Sequence, residues 1–512
     1  MATLDVLVVG AGFSGLYLLK RLRDEGFSVQ VLEAGDGIGG TWYHNRYPGL
    51  RCDVESMTYS YSFDDDIQRE WTWTHRYARQ GEILAYVDHV ADRLDLRRDI
   101  RLNERVVAAT WREGTATWEV RTEAGGVYEA RFCVMATGCL SVPNLPEIPG
   151  LEAFAGDRYH TAAWPKEGVD LSGKRVGVIG TGSSGVQMIP VIAAEVAHLT
   201  VFQRTPNWAV PAWNAPLTPE EVADWKATFP ERRARARTTS DGDIWDEPTQ
   251  SALEVTDEER EAAFERGWRC GSFGFLATFT DILSDERANA LAAEFFRRKL
   301  RARIDDPARA DVLIPTNYVG TKRLCVDTDY YETYNRPNVD IVDLRRTPLE
   351  AITERGIRTS DGERELDVII FATGFDAMTG ALVRAGITGR DGRSLAEDWS
   401  GGPHCYLGLA MAGYPNLLTV TGPHSPSVFT NVMSALEQHV EWISDLLVDL
   451  RRQGARTVEA TEEAERWWME QAAEAAPAIC LRHPRTARRW PLSGRRPAAK
   501  CRPRALPCGL PG

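Results

Sequence analysis

The sequence predicts an α/β protein made of two parallel-sheet units of the strand–turn–helix–strand kind, with a helical insertion in the second. The first ground is a pair of glycine fingerprints in matched settings. One follows the apolar run Asp5–Val9 and reads Gly10-Ala-Gly12-Phe-Ser14-Gly15; the other follows Arg175–Ile179 and reads Gly180-Thr181-Gly182-Ser183-Ser184-Gly185. The second ground is what comes next. Each fingerprint runs through a helical stretch into another strand, Ser28–Leu32 or Leu199–Gln203, closed by a charged residue about 20 positions on. The third is the charged, alanine-rich stretch from about 211 to 315, whose periodicity is helical.

In such a turn the first glycine permits the tight bend and the second lets the backbone approach a pyrophosphate. The third lets the helix pack closely on the strand, and free N–H groups at the helix start favour negative charge. Both units therefore read as Rossmann-like dinucleotide-binding domains. Their strand ends differ in charge. Glu33 suits the hydroxyls of an unmodified ribose, whereas Arg204 with Thr205 suits a ribose bearing a 2′-phosphate. The expected cofactors are FAD in the first unit and NADP(H) in the second, the equipment for passing a hydride from nicotinamide to flavin.

With 512 residues the chain exceeds what one hydrophobic core serves, and 43% hydrophobic with 26% charged residues is ordinary for a globular enzyme. A formal charge of −13 argues against nucleic acid as a partner, since phosphate binding needs a basic face. No apolar run is long enough for a membrane span, so the expectation is a cytoplasmic protein with no membrane partner. Nine cysteines without a Cys-x-x-Cys pair fit reduced thiols, and they exclude the redox pair that a flavin disulfide reductase needs. Nothing points to a metal. The oligomeric state stays open, with a monomer sufficient.

The first part of the FAD domain is expected over 1–140, ending in the strand Phe132–Met135 and the turn Ala136-Thr-Gly138. A proline-rich run, Ser141–Gly150, is the natural outward linker. The NADP domain then spans 141–374, with the helical insertion at about 211–315, and closes on Val368–Phe371 and a second Ala-Thr-Gly turn. Within the insertion, Thr256–Phe264 and Asp285–Phe296 read as amphipathic helices. The second part of the FAD domain is 375–479, with a helix over Thr430–Ile443. Residues 480–512 carry nine Lys or Arg, no Asp or Glu and many prolines, and are expected to be a disordered tail.

Between the fingerprints lies Phe154-Ala-Gly156-Asp-Arg-Tyr-His160-Thr-Ala-Ala-Trp164-Pro165, which by itself reads as a loop with a packing His and Trp. Set between two dinucleotide units it resembles the FxGxxxHxxxWP signature of type I Baeyer–Villiger monooxygenases. The run Gly39-Gly40-Thr41-Trp42-Tyr-His-Asn-Arg-Tyr47-Pro48-Gly49-Leu-Arg51-Cys-Asp53 is similar to the longer pattern of that family. The resemblance covers about Asp5 to Ala478 and is nearest to the phenylacetone monooxygenase branch.

That resemblance implies an NADPH- and dioxygen-dependent enzyme converting an aryl or alicyclic ketone to an ester or lactone through a flavin peroxide. The peroxide must react as an anion, which demands fixed positive charge in a site that excludes water. By residue match, Arg323 in Gly320-Thr-Lys322-Arg323 supplies that charge, and Asp53 holds its guanidinium. Ser14, Glu33, Thr41, Trp42, Asp53, Tyr59 and Val106 would line FAD. Arg51 to Asp53, Arg204, Thr205, Lys322 and Arg323 would line NADP. Val54, Cys139, Leu140, Ser427, Val428, Phe429 and Val432 would border the substrate, and His160 would act as a hinge between domains. The family pattern after Ala478, a Trp-Tyr segment and then a Gly-Ala-Asn-x-Pro-Gly-Lys loop over the nicotinamide, is replaced here by the basic tail. The abrupt change of composition is what a shifted reading frame in GC-rich coding DNA would encode. Two alternatives stay open at this point: a heteroatom monooxygenase acting on amines or sulfides, and a flavoprotein impaired by its tail.

Overall fold

The computed structural model describes residues 3–425 and 430–475. Ser427, Val428, Phe429 and the basic tail over 480–512 lie outside the described residues. Among the described residues two sheets dominate, one of eight strands and one of five.

The first sheet is built on Leu4–Val9, which pairs in parallel with Val29–Leu32 on one side and Val127–Met135 on the other. Its register sets Val8 opposite both Val31 and Val134, all three fully buried. Strands buried on both faces read as continuous apolar runs, which is why this unit was visible in the sequence. Val106–Arg112 and Thr117–Thr122 extend the sheet in antiparallel fashion. The chain re-enters it from far downstream: Leu417–Thr419 pairs with Cys133–Met135, and Ile387–Thr388 with Ala109–Thr110. The helix Phe13–Asp24 covers one face with Leu16, Leu18, Leu19 and Leu22 buried.

The second sheet is wholly parallel, in the order Val339–Asp343, His198–Gln203, Arg175–Ile179, Val368–Phe371 and Asp157–His160. The last strand corrects the loop read at 154–165. Asp-Arg-Tyr-His is short and polar, and its strand character comes from edge pairing with Val368–Phe371 rather than from propensity. Gly156 sits where a Cβ would come within 2.3 Å of Asp367 O, so the spacing after Phe154 has a packing cause.

The insertion contains the helices Pro219–Ala236, Asp257–Cys270, Glu286–Arg301 and Pro307–Leu313. Thr218 with Glu221 and Thr256 with Glu259 form capping boxes, satisfying N–H groups that each helix start would otherwise leave open. The helix expected from Thr430 begins at Val432, because the Asn431 side chain accepts from Met433 N and caps it there. It runs to Gln453.

Between the sheets, the outward stretch after Gly138 and the return stretch after Gly374 run side by side. Pro143 and Phe375 form an antiparallel bridge, Asn144 N donates to Gly374 O at 2.9 Å, and Asp376 N donates to Val142 O at 2.9 Å. No helix among the described residues is long and apolar enough to cross a membrane.

Candidate active site

Each glycine turn is shaped by backbone contact. Gly10 (φ +109°) and Gly180 (φ +111°) occupy backbone that L side chains rarely adopt, and a Cβ on either would stand 2.5 Å from a carbonyl, Ala136 O or Ala372 O. Gly12 and Gly182 begin helices whose starts have no side-chain cap. A Cβ on Gly182 would meet nothing within 4 Å, so the space over that turn is open to a ligand. Gly15 and Gly185 close each turn against Gly10 O and Gly180 O. Uncapped N–H groups at two helix starts, with open approach at the second, fit two pyrophosphates.

Below the first turn Glu33 is only 4% exposed. Its Oε2 accepts from Ala11 N at 2.8 Å, and its Oε1 accepts from Gly35 N at 2.8 Å and faces His44 Nε2 at 3.1 Å. Burial alone would raise its pKa, but His44 and the two backbone N–H groups outweigh it and hold the carboxyl below its usual range. Ser14 lies in the first turn of the following helix, and Thr41 opens the short helix Thr41–His44. Buried Trp42 donates from Nε1 to the Tyr59 hydroxyl at 3.0 Å. Val106 is buried at the start of its strand, two residues beyond Glu104, whose N–H donates to Glu33 O.

At the second turn, Thr181 Oγ1 donates to Gln203 Oε1 at 3.3 Å and to Thr205 O at 3.4 Å. Asn207 Nδ2 donates to Thr181 O at 2.5 Å, and Lys322 Nζ donates to Asn207 Oδ1 at 3.3 Å. Lys322, 115 residues from Asn207, is thus brought to the turn that Arg204 and Thr205 border. Ser183 Oγ lies 3.7 Å from Cys325 Sγ. Arg204 is exposed at the strand end, where a phosphate can reach it. Ser184 is in the first turn of the helix Ser183–Ile192.

Arg323 and Asp53 meet between the units. The guanidinium forms a two-point fork, Nε to Oδ2 at 2.6 Å and Nη2 to Oδ1 at 2.9 Å, with the side chains 27% and 24% exposed. Burial pulls the Arg323 pKa down, but the Asp53 charge and hydrogen bonds outweigh it, so the arginine stays charged. The Phe273 ring lies against the guanidinium, 4.2 Å from carbon to ring centre. Burial pushes the Cys139 thiol up while Arg323 opposes the shift, and Tyr59 feels both Asp53 and Cys139. Asp53, Tyr59, Cys139 and Arg323 thus lie near enough to influence one another's charge, and Val54, next to Asp53 in the chain, is buried. Leu140, next to Cys139, is 46% exposed on the crossover. Val432 is half-buried at the start of its helix.

The two units are also pinned together by residues that the sequence did not reveal as functional. Gln187, on the helix Ser183–Ile192, accepts from Tyr47 OH at 2.9 Å and donates to Arg51 O at 3.1 Å. Gly49 (φ +82°) lies so close that a Cβ would be 2.3 Å from Gln187 O. This explains the aromatic-Pro-Gly step of the long signature as a dovetail between units. Arg51 borders a cavity of about 230 Å³ with Tyr77, Gln187 and Asp329. Gln187, Asn207 and Phe273 carry no sequence signal of their own; only the signature around Tyr47 could have pointed to the first.

His160 ends the edge strand beside both crossovers. Its Nδ1 accepts from Ala162 N at 3.0 Å, which leaves Nε2–H to donate to Thr373 Oγ1 at 3.2 Å; Thr373 in turn donates to Asn144 O at 2.6 Å. The imidazole thus bridges the outward and return stretches. Burial lowers its pKa, favouring the neutral ring that this pattern requires.

The family model described as pyridine nucleotide-disulphide oxidoreductase matches residues 7–258. The match follows the dinucleotide-binding core, in a chain that has no Cys-x-x-Cys pair. Acetone monooxygenase (methyl acetate-forming) from Gordonia sp. (strain TY-5) is 45% identical over 471 residues, covering 91% of this chain and 88% of that protein. A Baeyer–Villiger monooxygenase from Pseudooceanicola batsensis is 41% identical over 472 residues, covering 91% and 86%. Among solved structures, OTEMO in complex with FAD and NADP superposes with a TM-score of 0.91 at 40% identity, covering 93% of this chain and 91% of that one. With both glycine turns, both signatures and the Asp53–Arg323 fork in place, the chain belongs to the type I Baeyer–Villiger monooxygenases.

Proposed function

We propose that the chain is an FAD-dependent, NADPH-using monooxygenase that converts a ketone, aryl or alicyclic, to an ester or lactone. The balanced reaction takes ketone, dioxygen, NADPH and a proton to ester, NADP+ and water. The observation that carries this reading is the Arg323–Asp53 fork, a half-buried ion pair standing between the two dinucleotide turns. When bound, FAD supplies hydride acceptance from NADPH and activation of dioxygen.

The residues of the chain do the rest. Residues 1–140 and 375–479 hold FAD, and 141–374 hold NADPH. Glu33 orients ribose hydroxyls, while Arg204, Thr205 and Lys322 face the 2′-phosphate. Arg323 presents N–H donors and fixed positive charge where negative charge develops on the transferring oxygen and on the ketone oxygen. Asp53 keeps that guanidinium in one orientation, so no reorganisation is needed as charge develops. Phe273 covers one face of the guanidinium and reduces its contact with water, which strengthens the interaction. His160 links the movement of the two crossovers. Val54, Cys139 and Val432 supply apolar surface for the substrate. The reading places the enzyme in the cytoplasm.

The test is incubation of FAD-loaded protein with NADPH, a panel of cyclic and aryl ketones and isotopically labelled dioxygen. The expected result is an ester or lactone containing one labelled oxygen atom. NADPH consumption that oxygenates only sulfides or amines would overturn the reading.

A further inference from the structure

One arginine of the helical insertion donates through both terminal nitrogens of its guanidinium into the other unit. Arg233, near the end of the helix Pro219–Ala236, is 7% exposed. Its Nη1 donates to Thr58 O at 2.9 Å. Its Nη2 donates to Met57 O at 3.0 Å, Ser60 O at 2.8 Å and Ser60 Oγ at 2.7 Å. A single planar fork thus gathers three carbonyls and a hydroxyl from three residues, Met57, Thr58 and Ser60, of the 57–60 turn. Phe229 lies against the guanidinium at 4.9 Å. Burial lowers the arginine's pKa, against which Glu437, Tyr86 and Asp243 act, with Arg237 opposing them. The arrangement is costly to desolvate and is retained where geometry matters.

The turn it holds is not an ordinary surface turn. It carries Tyr59, whose hydroxyl accepts from Trp42 Nε1 and whose ring meets Trp42 edge-on at 5.5 Å. Thr58 O has a second donor, Asn431 Nδ2 at 3.3 Å, and Asn431 caps the helix that begins at Val432. The chain just beyond Arg233 holds the same helix start: Asn431 N donates to Asp241 O at 2.7 Å and Ser434 Oγ donates to Gly242 O at 2.6 Å. One carbonyl therefore joins the insertion, the Tyr59 turn and the start of that helix.

We infer that Arg233 is a positioning residue for the oxygen-transfer site: its fork sets the 57–60 turn so that Tyr59 and Trp42 keep one orientation, and through Thr58 it aligns the start of the 432–453 helix. The inference rests on the functional reading above, in which Trp42 and Tyr59 line FAD and Val432 borders the substrate. An arginine is required because its donors are spread over a rigid plane; a lysine keeps the charge but reaches fewer of the four acceptors at once. Losing the fork takes the arginine donor from Ser60 O and leaves Thr58 O to Asn431 and Met57 O to the Ser60 hydroxyl, and the turn relaxes to recover the missing bonds.

The test uses Arg233→Met, Arg233→Lys, Tyr59→Phe and the double variant Tyr59→Phe with Arg233→Lys, all in the full chain. FAD dissociation constants come from flavin fluorescence, the flavin environment from visible circular dichroism, and ketone KM and kcat from product formation. Arg233→Met is expected to raise the FAD dissociation constant and ketone KM by about tenfold and to alter the visible dichroism, the scale of one charged hydrogen bond. Arg233→Lys is expected to recover only a minor part of the loss, because the ammonium keeps the charge but reaches fewer of the four acceptors. In the double variant the two effects on FAD affinity should combine to clearly less than their product, because Arg233 acts through the Tyr59 turn. Native affinity, dichroism and KM in Arg233→Lys and Arg233→Met overturn the inference, as does full additivity. If Arg233→Met does not fold, Arg233→Lys and the double variant decide the matter by the same criteria. A native chain that takes up no FAD overturns the flavoprotein reading itself, and this inference with it, before any variant is made.

Discussion

Replacing Asp53 by Asn tests how much the site depends on a held arginine. The substitution keeps the shape of the side chain but removes the charge that the Arg323 fork engages through Nε at 2.6 Å and Nη2 at 2.9 Å. Asn can accept one of those donors, while its own NH2 group opposes the other. One charge-assisted hydrogen bond is lost, worth about 1.5–3 kcal/mol, and both side chains are about a quarter exposed, so the middle of that range, about 2 kcal/mol, is appropriate. At about 1.4 kcal/mol per factor of ten, oxygen transfer should slow roughly 30-fold. Reduction of the flavin by NADPH under anaerobic conditions should change far less, because Arg204, Thr205 and the second glycine turn are untouched. Stopped-flow absorbance measures the reduction, and gas chromatography of ester formed under air measures the transfer. Equal losses in both half-reactions, or ester formed at the native rate, would refute the assignment of the fork to oxygen transfer.

Arg204→Ala should weaken NADPH binding by roughly 10- to 100-fold while leaving NADH binding nearly unchanged, since a charged contact to the 2′-phosphate is worth about 1.5–3 kcal/mol; titration with both nucleotides checks this, and equal loss for the two would count against it. Gly49→Ala places a Cβ 2.3 Å from Gln187 O at φ +82°, so a clear drop in thermal midpoint and weaker NADPH binding are expected from calorimetry and titration, and a native-like midpoint would show that the dovetail yields easily. His439 is buried, its Nδ1 accepts from Thr421 N at 3.0 Å, and burial lowers its pKa to about 4. The unfolded chain binds this proton below about pH 6.5 while the folded chain does not until about 4, so this group's contribution is full above pH 6.5 and falls by up to roughly 3 kcal/mol on acidification to pH 4. Denaturant unfolding of the native chain and His439→Gln across that range should show the difference between them shrinking as pH falls; a constant difference would contradict it.

The dinucleotide turns were legible because their signals are local. Gly10, Gly180 and their companions act within a few residues of themselves, and Glu33 and Arg204 follow on the next strand end. The signature around His160 was legible as a pattern but misread in form: Asp157–His160 is a strand because Val368–Phe371, more than 200 residues away, supplies its ladder. The insertion helices declared themselves through Thr218, Thr256 and Asp285 caps, yet nothing in their sequence marks Arg233, since a helical arginine is ordinarily solvated and becomes a buried fork only where another segment offers carbonyls. Gln187 is equally silent until Tyr47 and Arg51 are set against it.

By itself, then, the sequence determined the two α/β units, the charge that distinguishes their ribose sites, and the identity of Asp53 and Arg323 as candidates through resemblance. Tertiary structure alone decided that these two, 270 residues apart, meet in a two-point fork and that the Phe273 ring lies against it. The physical reason is that glycine geometry and strand-end charge are properties of short segments. Burial, ion pairing and hydrogen-bond partners depend instead on how separate segments are brought together across the crossovers.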